Sequence, residues 1–374
     1  MKELSAIVLV GGRGSRLQGL TKNKSKSYVS FMGKYRIIDF PLSSLSNSGV
    51  EEVGLITQYE PYELMRYIGS GSSWDLDYVN AGISFLTPYE AKGSLIYQKG
   101  TANAVLSQIG FIKQIQSKYI LILSGDQIYK IDFREMLEEH KKNSAELTII
   151  SKDITDENED LTRFGIIEYD RYNKVLGFEE KPKKPKSNRI SLGMYLFNKD
   201  FLLKYLEYAD KLVDFGSDLI PFLIKETDRV YSYNYTGRFM DVGTIESLYY
   251  GNMFYLEHPE ILDNKGQKYK IYSHAYDYPP QALGPKAKVS YSVLTDGCMI
   301  NGTIIHSVMS YGTVVLDNAE VIDSVILPNT KIGKESKIKN AIIDEGLSIP
   351  DNTNLIFDKP TLVDEDYLGG LNVQ

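Results

Sequence analysis

The sequence predicts an α/β domain with a mostly parallel sheet, followed by a parallel β-helix. Three observations support this fold class. An apolar run near the N-terminus leads into a glycine-rich turn, short aliphatic strands alternate with helical segments over the first 250 residues, and aliphatic residues recur at about six-residue steps in the last third. The alternation indicates parallel strands with crossover helices, and the six-residue period indicates stacked β-helix turns.

Residues 4–17, LSAIVLVGGRGSRL, join an apolar β-type run to a basic turn that contains three glycines. Glycines leave backbone N–H groups open to a closely approaching anion, and arginines add charged donors suited to phosphate oxygens. The residues concerned are Gly11, Gly12, Gly14, Arg13 and Arg16. We call residues 11–15 the glycine loop and predict that it binds phosphate. Taken alone, the loop is equally compatible with a turn that has no chemical role.

Two familiar kinds of phosphate-binding loop do not fit. A dinucleotide-binding fingerprint needs a third glycine where this chain has Leu17, and a helix directly afterwards, whereas residues 18–30 are polar and rich in lysine. A Walker loop needs Gly-Lys-Ser/Thr after four intervening residues, and that run does not occur in the sequence.

Length and composition exclude several classes of protein. A chain of 374 residues suggests two domains, and its net charge of −7 favours neither nucleic acid nor an anionic membrane as a partner. Cys298 is the only cysteine, which excludes an intrachain disulfide, and four dispersed histidines do not form the usual zinc clusters. The N-terminal apolar run is too short for a secretory signal or a membrane span, so we expect a cytoplasmic protein.

The first 250 residues alternate between strand and helix patterns. The predicted strands are residues 6–10, 52–57, 119–123 and 147–151, and the predicted helices are residues 103–116 and 133–143. Ligands bind such sheets at the carboxyl ends of the strands. The glycine loop and the Gly125-Asp126 pair should therefore meet at one edge of the sheet.

The composition changes after residue 255. Residues 256–285 contain prolines and few periodic apolar positions, which predicts a linker between a domain at 1–255 and a β-helix domain at 286–374. The recurring aliphatic positions are Leu283, Val289, Val315, Val321, Ile326, Ile332, Ile338, Ile343, Ile349 and Leu355. Each turn of a parallel β-helix buries such residues against its neighbours, and the short strands of a β-sandwich are the alternative.

Two acidic residues follow predicted strands at widely separated positions. Asp126 follows the apolar run LILSG, and Asp241 follows the aromatic segment 231–240. Two carboxylates brought together in this way can hold Mg²⁺, which completes its octahedron with water and phosphate oxygens. Each residue alone is more simply explained as a turn former or a helix cap.

Six segments occur in one order over the first 250 residues: GGRGSRLQGLT at 11–21, KYRIIDFPLSSLSNSG at 34–49, LILSGDQIYKIDF at 121–133, FEEKP at 178–182, SLGMY at 191–195 and DVGTIESL at 241–248. With the repeats of the last third, they resemble the sugar-nucleotide pyrophosphorylases, specifically the bacterial ADP-glucose pyrophosphorylase (glucose-1-phosphate adenylyltransferase) branch. The resemblance implies a Rossmann-like, mostly parallel mixed sheet of the GT-A-like nucleotidyltransferase type. It also implies a left-handed β-helix that mediates oligomer contacts or regulation.

The reaction implied by the resemblance joins ATP and α-D-glucose 1-phosphate to give ADP-glucose and pyrophosphate, for glycogen synthesis. A phosphate oxygen of the sugar attacks the α-phosphorus in line, so no covalent enzyme intermediate is required. The implied cofactor is Mg²⁺, and the implied assembly is a homotetramer or a heterotetramer with a homologous subunit. We expect neither nucleic acid nor a membrane as a partner.

The matching motifs assign site residues by resemblance. The nucleotide would be bound by Gly11, Gly12, Gly14, Ser15, Gly100 and Thr101. The catalytic residues would be Arg16, Lys26, Asp126 and Asp241, with the two aspartates as metal ligands. The sugar and its phosphate would be bound by Glu180, Lys181, Ser191 and Gly193. By residue type alone, Thr101 also suits a helix N-cap, and Lys181 lies in a lysine- and proline-rich run that suits a solvated loop.

The chain departs from the family pattern at Ser27, Tyr28, Asn103 and Gln127, where the family usually has proline, alanine, an acidic residue and histidine. Two other functions therefore stay open. One is a regulatory or scaffold subunit of a hetero-oligomer that has lost activity. The other is an enzyme of the same chemistry that uses UTP, CTP or dTTP.

Overall fold

The computed structural model describes residues 2–12, 14–87, 90–91, 94–95, 100–156, 159–206, 212–262 and 269–371. An α/β part with a nine-stranded central sheet comes first, and a parallel β-helix follows it. The fold class predicted from the sequence is confirmed. The domain bounds at residues 255 and 285 stay a prediction.

The strands of the α/β part are β1 Leu4–Leu9, β2 Ser30–Phe31, β3 Tyr35–Arg36, β4 Glu52–Ile56, β5 Gly82–Leu86, β6 Glu90–Ala91, β7 Ser94–Leu95, β8 Tyr119–Ser124, β9 Gln127–Tyr129, β10 Leu147–Asp153, β11 Gly165–Tyr169, β12 Val175–Glu180, β13 Arg189–Asn198, β14 Val230–Asn234 and β15 Phe239–Asp241. Its helices are α1 Asp39–Asn47, α2 Tyr62–Ile68, α3 Thr101–Leu106, α4 Ile109–Gln114, α5 Phe133–Lys142, α6 Lys199–Leu206, α7 Ile220–Glu226 and α8 Ile245–Glu257.

The β-helix contains β16 Ala282–Leu283, β17 Lys288–Ser290, β18 Val293–Leu294, β19 Met299–Ile300, β20 Thr303–Ile305, β21 Val308–Met309, β22 Val314–Val315, β23 Glu320–Ile322, β24 Val325–Ile326, β25 Lys331–Ile332, β26 Lys337–Ile343, β27 Ser348–Ile349 and β28 Asn354–Val363, and α9 Glu365–Leu371 follows. Within the described part of the chain, no helix is both long enough and apolar enough to cross a membrane.

The central sheet has the strand order β12-β11-β13-β8-β1-β4-β5, and β10 joins β13 to β14. β1 pairs in parallel with β4 and β8, and β4 pairs in parallel with β5, so the carboxyl ends of these strands share one edge. β13 runs antiparallel to β8, which makes the sheet mixed. Most of β1 is buried, as expected for a strand covered on both faces.

The predicted strands at 6–10, 52–57, 119–123 and 147–151 correspond to β1, β4, β8 and β10, and the helix predicted at 133–143 corresponds to α5. The single helix predicted over 103–116 is wrong, because α3 and α4 divide this segment. The hydroxyl of Ser107 donates to the carbonyl of Ala104 at 2.7 Å, a local bond that competes with helix continuation. Gly110 lowers helix propensity just beyond the break.

The C-terminal strands stack in parallel, which excludes the β-sandwich alternative. Val321 pairs with Ile338, and Ile338 pairs with Leu355, at positions that are buried inside the β-helix. Every predicted aliphatic position from Val315 onward is buried, whereas Leu283, in the edge strand β16, is 57% exposed. The six-residue period therefore marks the inward-facing positions of this part of the chain.

A buried apolar cluster joins the β-helix to the α/β part. Leu248 and Tyr249 of α8 belong to the same cluster as Val325 and Ile342 of the β-helix. The hydroxyl of Tyr249 also donates to the carbonyl of Asp323 at 2.7 Å. The helix that follows β15 is thus held against the β-helix.

An ion pair between a buried arginine and a partly buried glutamate also joins the two parts. The guanidinium of Arg36 donates to both carboxylate oxygens of Glu345, at 3.1 and 3.2 Å, and the ammonium of Lys24 lies 3.0 Å from the same carboxylate. The ring of Tyr28 lies 3.9 Å from the guanidinium carbon, and Tyr311 accepts a 2.6 Å hydrogen bond from it. This bidentate, stacked geometry suits arginine and not lysine.

These two cations change the acidity of Glu345. Burial alone would raise the pKa of its carboxyl group, but the charges of Arg36 and Lys24 outweigh burial and lower the pKa from 4.5 to about 2. Because the folded pKa lies below the unfolded one, the ionised carboxylate contributes its full stability above pH 4.5. That contribution is lost as the pH falls toward 2.

We expect Glu345→Gln to lower the free energy of unfolding by about 3 kcal/mol near neutral pH, because the buried guanidinium of Arg36, and Lys24 beside it, lose their shared anion. Chemical denaturation measures the effect, and the difference from the parent chain should shrink as the pH falls from 4.5 toward 2. Asp366→Asn removes only an exposed pair with Lys22 and should change this free energy by less than about 1 kcal/mol. Equal losses in the two variants would contradict a special role for the pair of Arg36 and Glu345.

Candidate active site

A cavity of about 530 Å³ opens at the carboxyl ends of β1, β4 and β8. Ten residues predicted from the sequence line it: Gly11, Gly12, Gly100, Thr101, Asp126, Glu180, Lys181, Ser191, Gly193 and Asp241. The glycine loop and the Gly125-Asp126 turn therefore meet at the sheet edge where we expected them.

A larger groove, of about 780 Å³, lies at the amino end of β8 beside Lys118 and Lys199. Its described lining residues include none of those predicted for the site. Within it, Arg229 pairs with Glu146, and the ammonium of Lys199 donates to the backbone carbonyls of Lys113 and Ile115. We therefore take the 530 Å³ cavity as the candidate active site.

The glycine loop is tightly packed on one side and open on the other. A side chain at Gly11 would come within 2.6 Å of the Cβ atom of Gln58, so a larger residue would push the loop away. Gly12 has open space around it. Gly14 has a left-handed φ of +61° and precedes the 3₁₀ turn Ser15–Thr21. The loop thus leaves room at Gly12 for a ligand to reach its backbone.

Pairing between β9 and β15 brings the two predicted acids together. Asp241, the last residue of β15, lies opposite Gln127, which directly follows Asp126. Gly125 allows the preceding turn to pack closely, since a side chain there would come within 2.5 Å of Val10. Two carboxylates from distant parts of the sequence therefore face one cavity.

The ammonium of Lys26 lies between these carboxylates. Its Nζ atom is 3.0 Å from Oδ2 of Asp126 and 2.8 Å from Oδ1 of Asp241. Burial disfavours the charged ammonium, but the two carboxylates outweigh burial and raise the pKa of Lys26 above its ordinary value. The hydroxyl of Ser124 donates to Oδ1 of Asp126. Both carboxylates can therefore reach one cation at the same time.

A short 3₁₀ turn, Lys26–Tyr28, holds Lys26 in this position. The hydroxyl of Ser25 accepts a 3.2 Å hydrogen bond from the backbone N–H of Ser27 and donates to the carbonyl of Val10 at 3.1 Å. Tyr28 packs against Arg36 and does not line the cavity. The departure from the family pattern at Tyr28 therefore leaves the cavity uncrowded.

Two arginines approach Asp241. A side chain at Gly243 would come within 3.0 Å of the guanidinium of Arg16 and 3.2 Å of the carboxylate of Asp241, so both groups lie against this glycine. Arg163, in the 3₁₀ turn Leu161–Arg163, lies 3.8 Å from Oδ2 of Asp241 and lines the cavity. No sequence motif pointed to Arg163. Its only sequence signal is a basic residue two positions before Gly165, the first residue of β11.

Glu180 and Lys181 lie where β12 ends. The ammonium of Lys181 is 3.3 Å from the carboxylate of Glu180, and the lysine side chain is 64% exposed. The other carboxylate oxygen lies so close to Gly165 and Gly216 that side chains there would come within 2.9 and 2.3 Å of it. Lys181 has a φ of +46°, a left-handed conformation that is uncommon outside glycine. The exposed ammonium can meet an anion that enters the cavity.

A bulge in β13 shapes the neighbouring wall. The register between β10 and β13 shifts after Ile149, and Gly193, with a φ of +68°, lies in the irregular stretch. Its N–H donates to the hydroxyl of Ser191 at 3.2 Å. The side-chain carbonyl of Gln127 is buried and has no hydrogen-bond partner among the described residues. Other atoms of Gln127 line the cavity.

Gly100 and Thr101 attach the start of α3 to the segment that precedes α7. A side chain at Gly100 would come within 2.4 Å of the carbonyl of Val213. The hydroxyl of Thr101 donates to Asp214 at 3.0 Å and accepts from the N–H of Phe215 at 3.1 Å. The N-cap of α3 is Gly100, so the expectation that Thr101 caps this helix is wrong.

Four predicted residues do not line the cavity itself. Gly14, Ser15 and Arg16 lie at the start of the first 3₁₀ turn, and Lys26 lies against the two carboxylates. Arg13 lies outside the described residues. The individual roles assigned to the site residues stay predictions.

Comparison with known proteins agrees with this geometry. The family model described as nucleotidyl transferase matches residues 5–258. The chain belongs to the nucleotidyl transferase family. A second model, described as the GlmU-like C-terminal hexapeptide, matches residues 281–364 and corresponds to the β-helix.

Relatives of this chain carry the name glucose-1-phosphate adenylyltransferase. One, from Bacillus cytotoxicus, is 42% identical over 360 residues and is matched over 95% of both chains. Others, from Bacillus mycoides and Bacillus anthracis, are 42% identical over 352 residues and are matched over 93% of both chains. The family resemblance inferred from the six motifs is confirmed.

Gly11→Ala and Gly12→Ala should separate packing from ligand approach. Gly11→Ala should lower the melting temperature, because the loop must move away from Gln58. Gly12→Ala should leave the melting temperature unchanged but weaken ATP binding about tenfold, or about 1.4 kcal/mol, because its methyl group would keep phosphate from the backbone N–H groups. Thermal melts and calorimetric ATP titrations measure the two effects. Parental ATP affinity in Gly12→Ala would contradict phosphate binding at this loop.

Proposed function

We propose that this chain transfers the adenylyl group of ATP to α-D-glucose 1-phosphate, giving ADP-glucose and pyrophosphate. One observation carries the proposal: the glycine loop, two convergent carboxylates and a glutamate–lysine pair line a single cavity. Support also comes from relatives named glucose-1-phosphate adenylyltransferase that are 42% identical over almost the whole chain.

The nucleotide phosphates would lie over the glycine loop, where Gly12 leaves the backbone open. Arg16, beside Asp241, would offset the charge that develops on the leaving pyrophosphate. Gly100 and Thr101 line the cavity from the start of α3 and would bound the nucleotide on that side.

The carboxylates of Asp126 and Asp241 suit a divalent cation. Both lie within 3.0 Å of one ammonium, so their oxygens converge on a single cation position. Mg²⁺ takes all-oxygen ligands and often uses only one or two carboxylates, with water and phosphate oxygens as the others. We therefore propose that these residues hold Mg²⁺, which when bound would neutralise phosphate charge.

The pair of Glu180 and Lys181 would hold glucose 1-phosphate. The carboxylate would accept hydrogen bonds from sugar hydroxyls, and the ammonium would meet the sugar phosphate. Ser191 and Gly193 line the wall beside this pair. Gln127 lines the same cavity.

The reaction would be an in-line displacement. An oxygen of the sugar phosphate would form a bond to the α-phosphorus as the bond from that phosphorus to the pyrophosphate oxygen breaks. Because no group of the protein is covalently modified, positioning and charge neutralisation would supply the rate enhancement. Arg16, Lys26 and Lys181 supply the required positive charge locally in a chain whose net charge is −7.

The family supports three further proposals about the setting of this activity. We propose that the enzyme is cytoplasmic and serves glycogen synthesis. We also propose that it assembles as a homotetramer or as a heterotetramer with a homologous subunit. The described lining residues of the cavity all precede the β-helix, so we propose that the β-helix serves assembly or regulation rather than chemistry.

Pyrophosphate release by the purified chain alone, with ATP, glucose 1-phosphate and Mg²⁺, tests the proposed function. Replacing ATP by UTP, CTP or dTTP in the same assay identifies the preferred base. No release with any of the four nucleotides would contradict an enzyme and favour a regulatory or scaffold subunit.

Asp126→Asn and Asp241→Asn should each lower kcat by about a thousandfold or more, because several kcal/mol of transition-state stabilisation would be lost with the metal charge. Steady-state kinetics at saturating Mg²⁺ measures the loss, and circular dichroism checks that both variants fold. Near-parental turnover in either variant would show that the metal assignment is wrong.

Lys181→Gln should raise KM for glucose 1-phosphate about tenfold or more and change KM for ATP far less, since its charge is assigned to the sugar phosphate alone. Lys184→Gln is the matched control, because Lys184 is exposed in the same lysine-rich loop and does not line the cavity. It should leave both KM values unchanged. Equal effects of Lys181→Gln on the two substrates would remove Lys181 from the sugar-phosphate site.

A further inference from the structure

We propose that the ammonium of Lys26 occupies the cation position of the Asp126–Asp241 pair in the unliganded protein, so that a divalent cation binds there only by displacing it. We infer this on the basis of the proposed metal role of the two aspartates. The inference assigns a second role to Lys26: a counter-ion that holds the two carboxylates together and is displaced when the metal binds.

The contacts of Lys26 carry the first step. Its ammonium is buried, and it contacts one oxygen of each carboxylate, at 3.0 Å for Asp126 and 2.8 Å for Asp241. The second oxygen of Asp126 is engaged by the hydroxyl of Ser124. The oxygens that converge on one point are therefore those that already bind the ammonium.

Charge and distance make the two occupants mutually exclusive. Mg²⁺ binds oxygens at about 2.0–2.1 Å, so an ion that used these same oxygens would lie almost at the position of the ammonium. Two cations at that separation repel each other strongly inside a protein. Without either cation, the two carboxylates would face each other with no cation between them, which also costs free energy.

A phosphate bound on the glycine loop would give the displaced ammonium a second anionic partner. A side chain at Gly14 would come within 3.0 Å of Cβ and 3.5 Å of Cγ of Lys26, so the stem of the lysine lies against this loop. A phosphate bound on the glycine loop would be the anion nearest to that stem. Binding of the metal and of the nucleotide phosphates should therefore support each other, because each stabilises the displaced state of Lys26.

Arg163 provides a matched control for local charge. Its guanidinium lies 3.8 Å from Oδ2 of Asp241 and contacts only one of the two acids, and its side chain is 35% exposed. Removing Arg163 therefore deletes one positive charge near the site without vacating the position between the carboxylates. If the ammonium occupies that position, Lys26 variants should have a much larger effect than this control.

Titration with Mn²⁺ in the absence of nucleotide tests the inference, with the electron paramagnetic resonance signal of free Mn²⁺ as the readout. The parent chain should bind Mn²⁺ weakly. Lys26→Gln and Lys26→Met should each bind Mn²⁺ at least about tenfold more tightly, as expected if the ammonium leaves the cation position of the parent chain for less than about a tenth of the time. Arg163→Gln should change the affinity far less. Adding Asp126→Asn to Lys26→Gln should abolish the gain, which ties it to this pair of carboxylates.

Thermal melting supplies a second readout that needs no activity. Both Lys26 variants should melt below the parent chain in metal-free buffer, because the cation between the two carboxylates is lost, and Mn²⁺ should raise their melting temperatures more than it raises that of the parent. Two substitutions, one polar and one apolar, guard against a folding defect that is specific to either side chain.

Three results would overturn the inference: equal Mn²⁺ affinity in the parent and the Lys26 variants, an equal gain in Arg163→Gln, or no Mn²⁺ binding by any variant. None of them bears on pyrophosphate release by the parent chain, which tests the proposed function separately. If pyrophosphate is released and any of these results is found, the enzyme assignment stands. Only the proposal that Lys26 occupies the cation position and is displaced by the metal is then rejected.

Discussion

The convergence of Asp126 and Asp241 on one cation is the interaction on which the rest of the site depends. It exists because β15 pairs with β9 beside the carboxyl end of the central sheet, where the glycine loop also emerges. Two carboxylates held this close require positive charge between them, and Lys26 supplies it. The site is thus built around an electrostatic constraint that joins three segments far apart in the sequence.

Opposite charges also hold distant segments together at the junction with the β-helix, where Arg36 and Lys24 share the carboxylate of Glu345. Lys24 and Lys26 lie two residues apart but bind acids of different parts of the molecule. Lys24 binds Glu345 of the β-helix, and Lys26 binds the acids of the cavity. The short segment between them therefore links the β-helix to the candidate active site. This link gives the β-helix a structural connection to a cavity that its described residues do not line.

Departures from the family pattern have local explanations in the structure. Tyr28 replaces a small residue, and its ring lies against the guanidinium of Arg36, so it contributes to the domain junction. Gln127 replaces a histidine and places a buried, unpaired carbonyl at the cavity wall within the described part of the chain. The cavity keeps Gly12, Asp126, Asp241, Glu180 and Lys181, the groups to which the proposed chemistry is assigned.

The sequence alone determined the features that local patterns encode: the apolar run of β1, the glycine loop after it, the six-residue period of the β-helix, and Asp126 and Asp241 as candidate metal ligands. Only the tertiary structure decided that Lys26 lies between those acids, that Arg163 lies beside Asp241, that Arg36 pairs with Glu345, and that the predicted 103–116 helix divides in two. Periodicity reports which face of an element is buried. Ion pairs between distant segments depend on how strands pair and turns pack, and no local spacing records those contacts.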